Sequence, residues 1–241
     1  MQPYFFPYLG YWQLIDAVDT FVVFDDVNYI KRGWINRNLI RLSNGETAYI
    51  RLPVTKVSQN RLICEHELSD PADAEKTIYK TLEYNYKKRP YYADGLKVVE
   101  DAFDTTSLNL ADFLFNQIEV VARHLHFDTQ IVRSSQLDNN KGLAAQEKII
   151  DIVKLLGGDV YINAIGGKSL YQPERFINND IKLMFLDPVL PEYDQGFSDF
   201  VPSLSVLDVL MNCSQNDAAA MARNYGLIDA ESRMESFRTV K

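Results

Sequence analysis

Met1-Gln-Pro-Tyr-Phe-Phe-Pro-Tyr-Leu-Gly-Tyr-Trp-Gln-Leu-Ile15 is the stretch whose reading decides the fold. It crowds aromatics around two prolines and one glycine, which neither a plain surface helix nor an edge strand does. Pro3 and Pro7 fix φ and remove amide donors, so residues 2–7 read as extended and poor in ladder hydrogen bonds. The chain then turns at Tyr8-Leu9-Gly10, and a helix is predicted over 11–18. Gly10 allows close backbone approach, either to a packed neighbour or to a ligand. The block is therefore an aromatic plug at one end of the core or a loop lining a ligand site.

Working outward, Asp19-Thr-Phe-Val-Val-Phe-Asp25 is a short apolar run flanked by carboxylates, as in a buried parallel strand. Asp25 and Asp26 sit at its C-terminal end, where open α/β sheets bind ligands. The following residues 27–38 mix Lys31, Arg32 and Arg37 with Tyr29, Trp34, Asn36 and Asn38. Arginine forks and asparagine amides suit a loop that contacts phosphate or carboxylate. Ser43-Asn44-Gly45 between two β-type runs predicts a hairpin with a tight primed turn. Pro53 ends its second strand.

A short strand is predicted over 61–68. Pro71 opens a helix that presents Ile78, Leu82 and Tyr86 on one face. Further helices are predicted over 96–103 and 108–125. His124 and His126 are two residues apart and diverge on a helix. Strands at 129–135, 159–163 and 182–186 then alternate with a helix at 143–156, closed by Gly157-Gly158, and a short helix at 174–177. This alternation predicts an α/β fold: a doubly wound, mostly parallel Rossmann-like sheet with an inserted β-hairpin and a helical segment. The expected organisation is one α/β domain over 1–215, with a helical insertion around 71–126. Residues 216–241 are expected to form a polar C-terminal helix or tail, disordered near Lys241.

The chain has 241 residues, long enough for a substantial core. Its net charge of −8 argues against a nucleic-acid partner. Two isolated cysteines, Cys64 and Cys213, suggest a reducing compartment and no zinc site. No apolar run is long enough to span a bilayer, and a cytoplasmic location is expected.

Chemistry is expected at three strand ends that would converge on one cleft: Asp25-Asp26, Arg133-Ser134 and Gly166-Gly167-Lys168 through Tyr171. Adjacent glycines beside a lysine can cradle a phosphate, although the Walker spacing is absent. Asp25 and Asp26 are the candidate acid–base groups. Gln2, Tyr4, Tyr11, Lys31, Arg32, Trp34, Asn36, Arg37, Asn38, Arg133, Ser134, Gly166, Gly167, Lys168 and Tyr171 are the candidate substrate-binding residues. The sequence supports no Ser-His-Asp or Cys-His triad and no metal set of its own. The carboxylate pair could instead hold Mg²⁺ together with substrate phosphate oxygens. No cofactor is assigned, and the oligomeric state is open.

Four segments together resemble the WbqC-like protein family: Gln2-Pro-Tyr-Phe-Phe-Pro-Tyr-Leu-Gly-Tyr, Lys31-Arg-Gly-Trp-Ile-Asn-Arg-Asn38, Leu52-Pro-Val54 and Phe200-Val-Pro-Ser-Leu-Ser-Val-Leu-Asp-Val-Leu210. The family's usual start carries a few more apolar residues as a first strand, so this chain is expected to begin inside the motif. The resemblance implies a place in bacterial surface-polysaccharide assembly, notably of O-antigen. It further implies a transferase acting on a nucleotide-linked or phosphorylated sugar, an amino sugar in the leading reading. Alternatives are a non-catalytic binding protein of the same pathway and an ATP-dependent amide-forming ligase. At fold level, residues 7–15 followed by Phe21-Val-Val-Phe24 are similar in pattern to the start of pantothenate synthetase-type nucleotidyltransferases. Tyr8 and Tyr11 stand there in place of two histidines.

Overall fold

The structure is a computed structural model that describes residues 1–230. The end of the expected tail, 231–241, lies outside the described residues. In chain order the elements are α1 (Leu9–Asp16), β1 (Thr20–Val23), β2 (Arg37–Arg41), β3 (Thr47–Arg51), α2 (Pro71–Tyr86), α3 (Tyr92–Phe103), α4 (Leu110–His124) and β4 (Gln130–Arg133). They continue with α5 (Ala145–Leu155), β5 (Val160–Ala164), α6 (Pro173–Ile177), β6 (Lys182–Pro188), α7 (Val206–Asn212), α8 (Gln215–Ala222) and β7 (Tyr225–Asp229). The chain forms two compact units. One comprises Met1–Ser135 with Leu190–Arg223, and the other comprises Gln136–Val189 with residues 224–230.

The fold is mixed α/β, but its strands do not form one doubly wound sheet. Among the described residues there are three small sheets: parallel β1–β4, antiparallel β2–β3, and β5–β6–β7 with one parallel and one antiparallel pair. The alternation of strand and helix was real, but strands of four to seven residues leave their partners to be chosen by tertiary packing. β7 accounts for part of this, since an antiparallel strand comes from the stretch read as a polar tail.

In the first unit the aromatic block is mostly core. Phe5, Phe6, Tyr11 and Trp12 are almost fully buried. The Phe5 ring meets Phe6 at 4.9 Å and Phe113 of α4 at 6.3 Å. Trp12 donates its indole N–H to Pro7 O at 2.9 Å, so its buried polar atom is satisfied. Phe6 adopts a left-handed φ of 40°, which disfavours an L side chain. Three distant side chains hold it there. Gln117 Oε1 accepts from Phe6 N at 2.7 Å, while Asn38 Nδ2 and Ser205 Oγ both donate to Phe6 O at 2.8 Å. At Gly10 any Cβ would stand 2.6 Å from the Tyr8 ring, so a side chain there would displace that ring from the helix start.

Local signals explain the elements around this core. α2 starts with Pro71 in its first turn, and Asp70 accepts from Asp73 N at 3.0 Å as N-cap. Its buried stripe, Ala74, Ile78, Leu82 and Tyr86, recurs every four residues. α4 is capped by Asn109, which accepts from Ala111 N and Asp112 N. The hairpin forms as expected, but its loop is Ser43-Asn44-Gly45 rather than two residues. Gly45 N donates to Leu42 O at 2.9 Å, and Gly45 takes φ +86° as the bulge glycine of a three-residue loop. The strand predicted over 61–68 is instead a 3₁₀ turn at Ile63–Glu65 flanked by isolated bridges.

The second unit packs Ile150, Phe176, Ile181, Leu183, Phe185 and Ala230 into its own core. α5 ends as Gly157-Gly158 predicts. Gly158 N donates to Val153 O and Gly157 N to Lys154 O, the bond pair of a Schellman motif.

Candidate functional site

β1 and β4 run parallel and in register, Val23 opposite Arg133, so both carboxyl ends fall at one edge. The chain start runs beside them. Met1 N donates to Val22 O at 2.7 Å, and Phe24 N donates to Met1 O at 2.8 Å, a parallel pattern. Three aligned segments therefore lead into Gln2–Tyr4, Asp25–Asp26 and Arg133–Ser135. This is the geometry in which polar residues from separate strands meet.

Asp25 is fully buried and saturated. Its Oδ2 accepts from Arg133 Nε at 2.8 Å and from Ser135 Oγ at 2.7 Å. Its Oδ1 accepts from Ser135 N at 2.9 Å and lies 3.2 Å from Ser134 Oγ, whose single proton goes to the nearer Asp26. A buried carboxylate held this way organises its surroundings. Arg133 bridges onward to Asp112 in the first turn of α4, and Ser107 Oγ donates to the other Asp112 oxygen at 2.6 Å.

Asp26 is 9% exposed, and its Oδ1 accepts from Ser134 Oγ at 2.5 Å. The same Oγ accepts from Asp25 N at 3.1 Å, which orients the serine. Cys64 joins this group: its backbone N donates to Asp25 O at 3.0 Å. Burial first, and then the charges of Asp25 and Asp26, push the Cys64 thiol up, so it is not an activated nucleophile. Tyr4 and Tyr8 are half-buried phenols whose pKa is raised chiefly by that burial, which keeps them neutral hydrogen-bonding groups.

The other predicted residues have these surroundings. Tyr11 is buried and donates its hydroxyl to Gln2 O at 3.0 Å. Asn36 is engaged within the fold, with Nδ2 on Leu52 O and Oδ1 accepting from Tyr29 Oη, both at 2.8 Å. Asn38 is buried, with Nδ2 on Phe5 O and Phe6 O. Lys31, Arg32, Trp34 and Arg37 form an exposed or half-exposed group with the hairpin. Gly166, Gly167, Lys168 and Tyr171 belong to the second unit. There, the two glycines lie in a 3₁₀ turn, Ile165–Leu170, and neither takes a positive φ. Their backbone thus lacks the alternating conformation of an anion nest. Lys168 Nζ lies 5.8 Å from the Phe185 ring centroid, and Tyr171 Oη contacts Tyr161 Oη at 3.2 Å.

The sequence reading missed Asp112 and Cys64. Neither carries a local signal, because helix and loop residues are brought to a strand end only by the tertiary fold. Among the described residues no group of three or more His, Cys, Asp or Glu is placed to hold a metal ion. No helix among them is long and apolar enough to cross a membrane.

A second buried polar group lies where the loop before α7 meets α2 and the hairpin. Asp208 accepts from Tyr86 Oη at 2.6 Å, from Tyr193 Oη at 2.8 Å and from Gln195 Nε2 at 3.1 Å. Arg41 reaches Gln195 Oε1 at 3.2 Å and pairs with Asp199 at 2.8 Å. Asp208, Tyr86, Arg41 and Gln195 are all buried, so this group fastens the loop rather than facing a ligand.

No solved structure matches the chain. A Mycobacterium tuberculosis (strain ATCC 25618 / H37Rv) protein described as uncharacterized protein Rv1507c is 26% identical over 216 residues, covering 88% of this chain and 91% of that protein. A family model also matches residues 2–220, from the opening aromatic block into α8. By that match, the chain belongs to the WbqC-like protein family.

Proposed function

We propose that the protein is a transferase acting on a nucleotide-linked or phosphorylated amino sugar in the assembly of bacterial surface polysaccharide such as O-antigen. The observation that carries this reading is the meeting of Asp25, Asp26, Arg133, Ser134 and Ser135 at the carboxyl ends of two parallel strands. In this account Asp25 is a positioning residue that fixes Arg133 and both serines. Asp26, the less deeply buried of the two carboxylates, accepts the proton from an acceptor hydroxyl or amine as the new bond forms and the donor's leaving group departs. Tyr4 lines the approach. The exposed Lys31 and Arg32, a few residues after Asp26, add a positive field for an anionic substrate.

One observation favours a rival, a non-catalytic binding protein of the same pathway: both oxygens of Asp25 are already occupied by protein donors. A thermal-shift panel of nucleotides, nucleotide sugars and aminoacyl or acyl donors tests the substrate class. Ligand at a hundred times its dissociation constant stabilises the fold by about 2.7 kcal/mol. A nucleotide-sugar shift that weakens in Tyr4→Ala supports the reading. No shift from any phosphorylated compound overturns it.

A further inference from the structure

Residues 27–64 carry seven Lys or Arg and one Glu, in a chain whose net charge is −8. Positive charge is thus gathered on the hairpin and its flanking turns. Of these cations only Arg41 makes an ion pair among the described residues. Arg37 and Arg51 face each other directly across β2 and β3. Both guanidinium groups stack on the single Tyr49 ring, at 4.3 and 5.3 Å from its centroid. Like charges placed opposite one another on a hairpin are destabilising, so this pairing concentrates positive charge at a cost to the hairpin.

An apolar component is interleaved with the charge. Ile30 is 47% exposed, Trp34 41% and Tyr49 40%. The Trp34 and Tyr49 rings lie 6.3 Å apart. Arg37 Nε donates to Gly33 O at 3.1 Å and its Nη2 donates to Arg32 O, which ties the Ile30–Gly33 turn to the same patch. Gly33 N donates to Ile30 O, closing that turn with Ile30 exposed on it. The result is a contiguous face of Ile30, Trp34 and Tyr49 rimmed by Lys31, Arg32, Arg37 and Arg51.

We propose that this face is a docking surface for an anionic phospholipid membrane. A soluble polyanion would use the cations but would leave Ile30 unexplained. A bilayer uses both components, because indole and phenol rings settle at the headgroup level while the Arg and Lys groups meet anionic lipid. The segregated charge also favours contact through the hairpin rather than through the acidic remainder of the sequence. This inference shares Lys31 and Arg32 with the reading of the strand-end group but rests on the hairpin's own residues, Trp34, Tyr49 and Arg51, and does not require that reading.

The test is co-sedimentation of the full chain with vesicles of phosphatidylglycerol and phosphatidylcholine, and with phosphatidylcholine alone, at fixed salt. Wild type is expected to bind the anionic vesicles selectively. Lys31→Glu with Arg51→Glu should weaken that binding roughly tenfold or more. Trp34→Ser should weaken it with the charges intact. Unchanged melting temperatures establish that these exposed variants fold. Absence of wild-type binding to anionic vesicles, or equal binding by the charge-reversed variant, overturns the proposal. Binding that polyphosphate abolishes and Trp34→Ser leaves unchanged also overturns it, and reassigns the face to a soluble polyanion.

Discussion

Arg133 Nε lies 2.8 Å from Asp25 Oδ2 across 108 residues of sequence, with the carboxylate fully buried. Arg133 ends β4 and Asp25 follows the end of its parallel partner β1 by two residues, so this pair fixes the β1–β4 edge on which the candidate site is built. Removing one partner leaves a buried charge uncompensated. Arg133→Ala is expected to cost about 3–5 kcal/mol in chemical denaturation, and Asp25→Ala a similar amount. Arg133→Lys keeps the charge but cannot fork between Asp25 and Asp112, and should fall between. A loss under about 1 kcal/mol for Arg133→Ala would show that the pair does not hold the edge together.

The left-handed Phe6 depends on Asn38, Gln117 and Ser205. Asn38→Ala takes the amide donor from Phe5 O and leaves Phe6 O with Ser205 alone, and is expected to destabilise by about 1–3 kcal/mol. Asn38→Asp should be at least as harmful, since a carboxylate cannot donate to those oxygens. Equilibrium unfolding of the two variants checks the order.

Asp208 gives a pH signature. Burial raises its pKa above the ordinary carboxylate value, and the hydrogen bonds from Tyr86, Tyr193 and Gln195 offset only part of that. With a raised folded-state value, the native protein binds the proton more readily than the unfolded chain. The contribution of Asp208 to stability is therefore present at low pH and falls as pH climbs from about 3.8 through the folded value. Asp208→Asn, which does not titrate, should gain on wild type between pH 4 and pH 7. Melting temperatures measured across that range give the comparison, and a constant gap would refute it.

The charges beside Cys64 suppress its ionisation. Iodoacetamide should therefore alkylate Cys64 slowly at neutral pH. Asp26→Asn removes one of those charges, lowers the thiol pKa and should accelerate the reaction. Mass spectrometry resolves Cys64 from Cys213, whose pKa burial pushes up to about 12 and which should stay slow in both proteins.

Much of the local structure was legible because single residues announce it. Pro71 after Asp70, the four-residue stripe of α2, the loop ending in Gly45 and the Gly157-Gly158 stop each set a backbone geometry on its own. Asp25-Asp26 and Arg133-Ser134 were legible as strand ends, and parallel pairing makes them neighbours. Sheet membership was not legible. β1 and β4 each span four residues, too few for their sequence to select a partner. The roles of the asparagines were hidden for a related reason. Asn36 and Asn38 look like ligand-binding amides until the backbone carbonyls they serve, from Leu52, Phe5 and Phe6, are brought beside them.

The central claim is that Asp26 acts on substrate while Asp25 holds the frame. The most direct measurement is turnover and ligand affinity of Asp26→Asn, using the nucleotide-linked sugar and acceptor that wild type accepts. The account predicts affinity within about threefold of wild type and turnover reduced by about 10²-fold or more. Turnover near the wild-type rate in Asp26→Asn would contradict it. So would binding without turnover in wild type, which would leave the strand-end group as a recognition site alone.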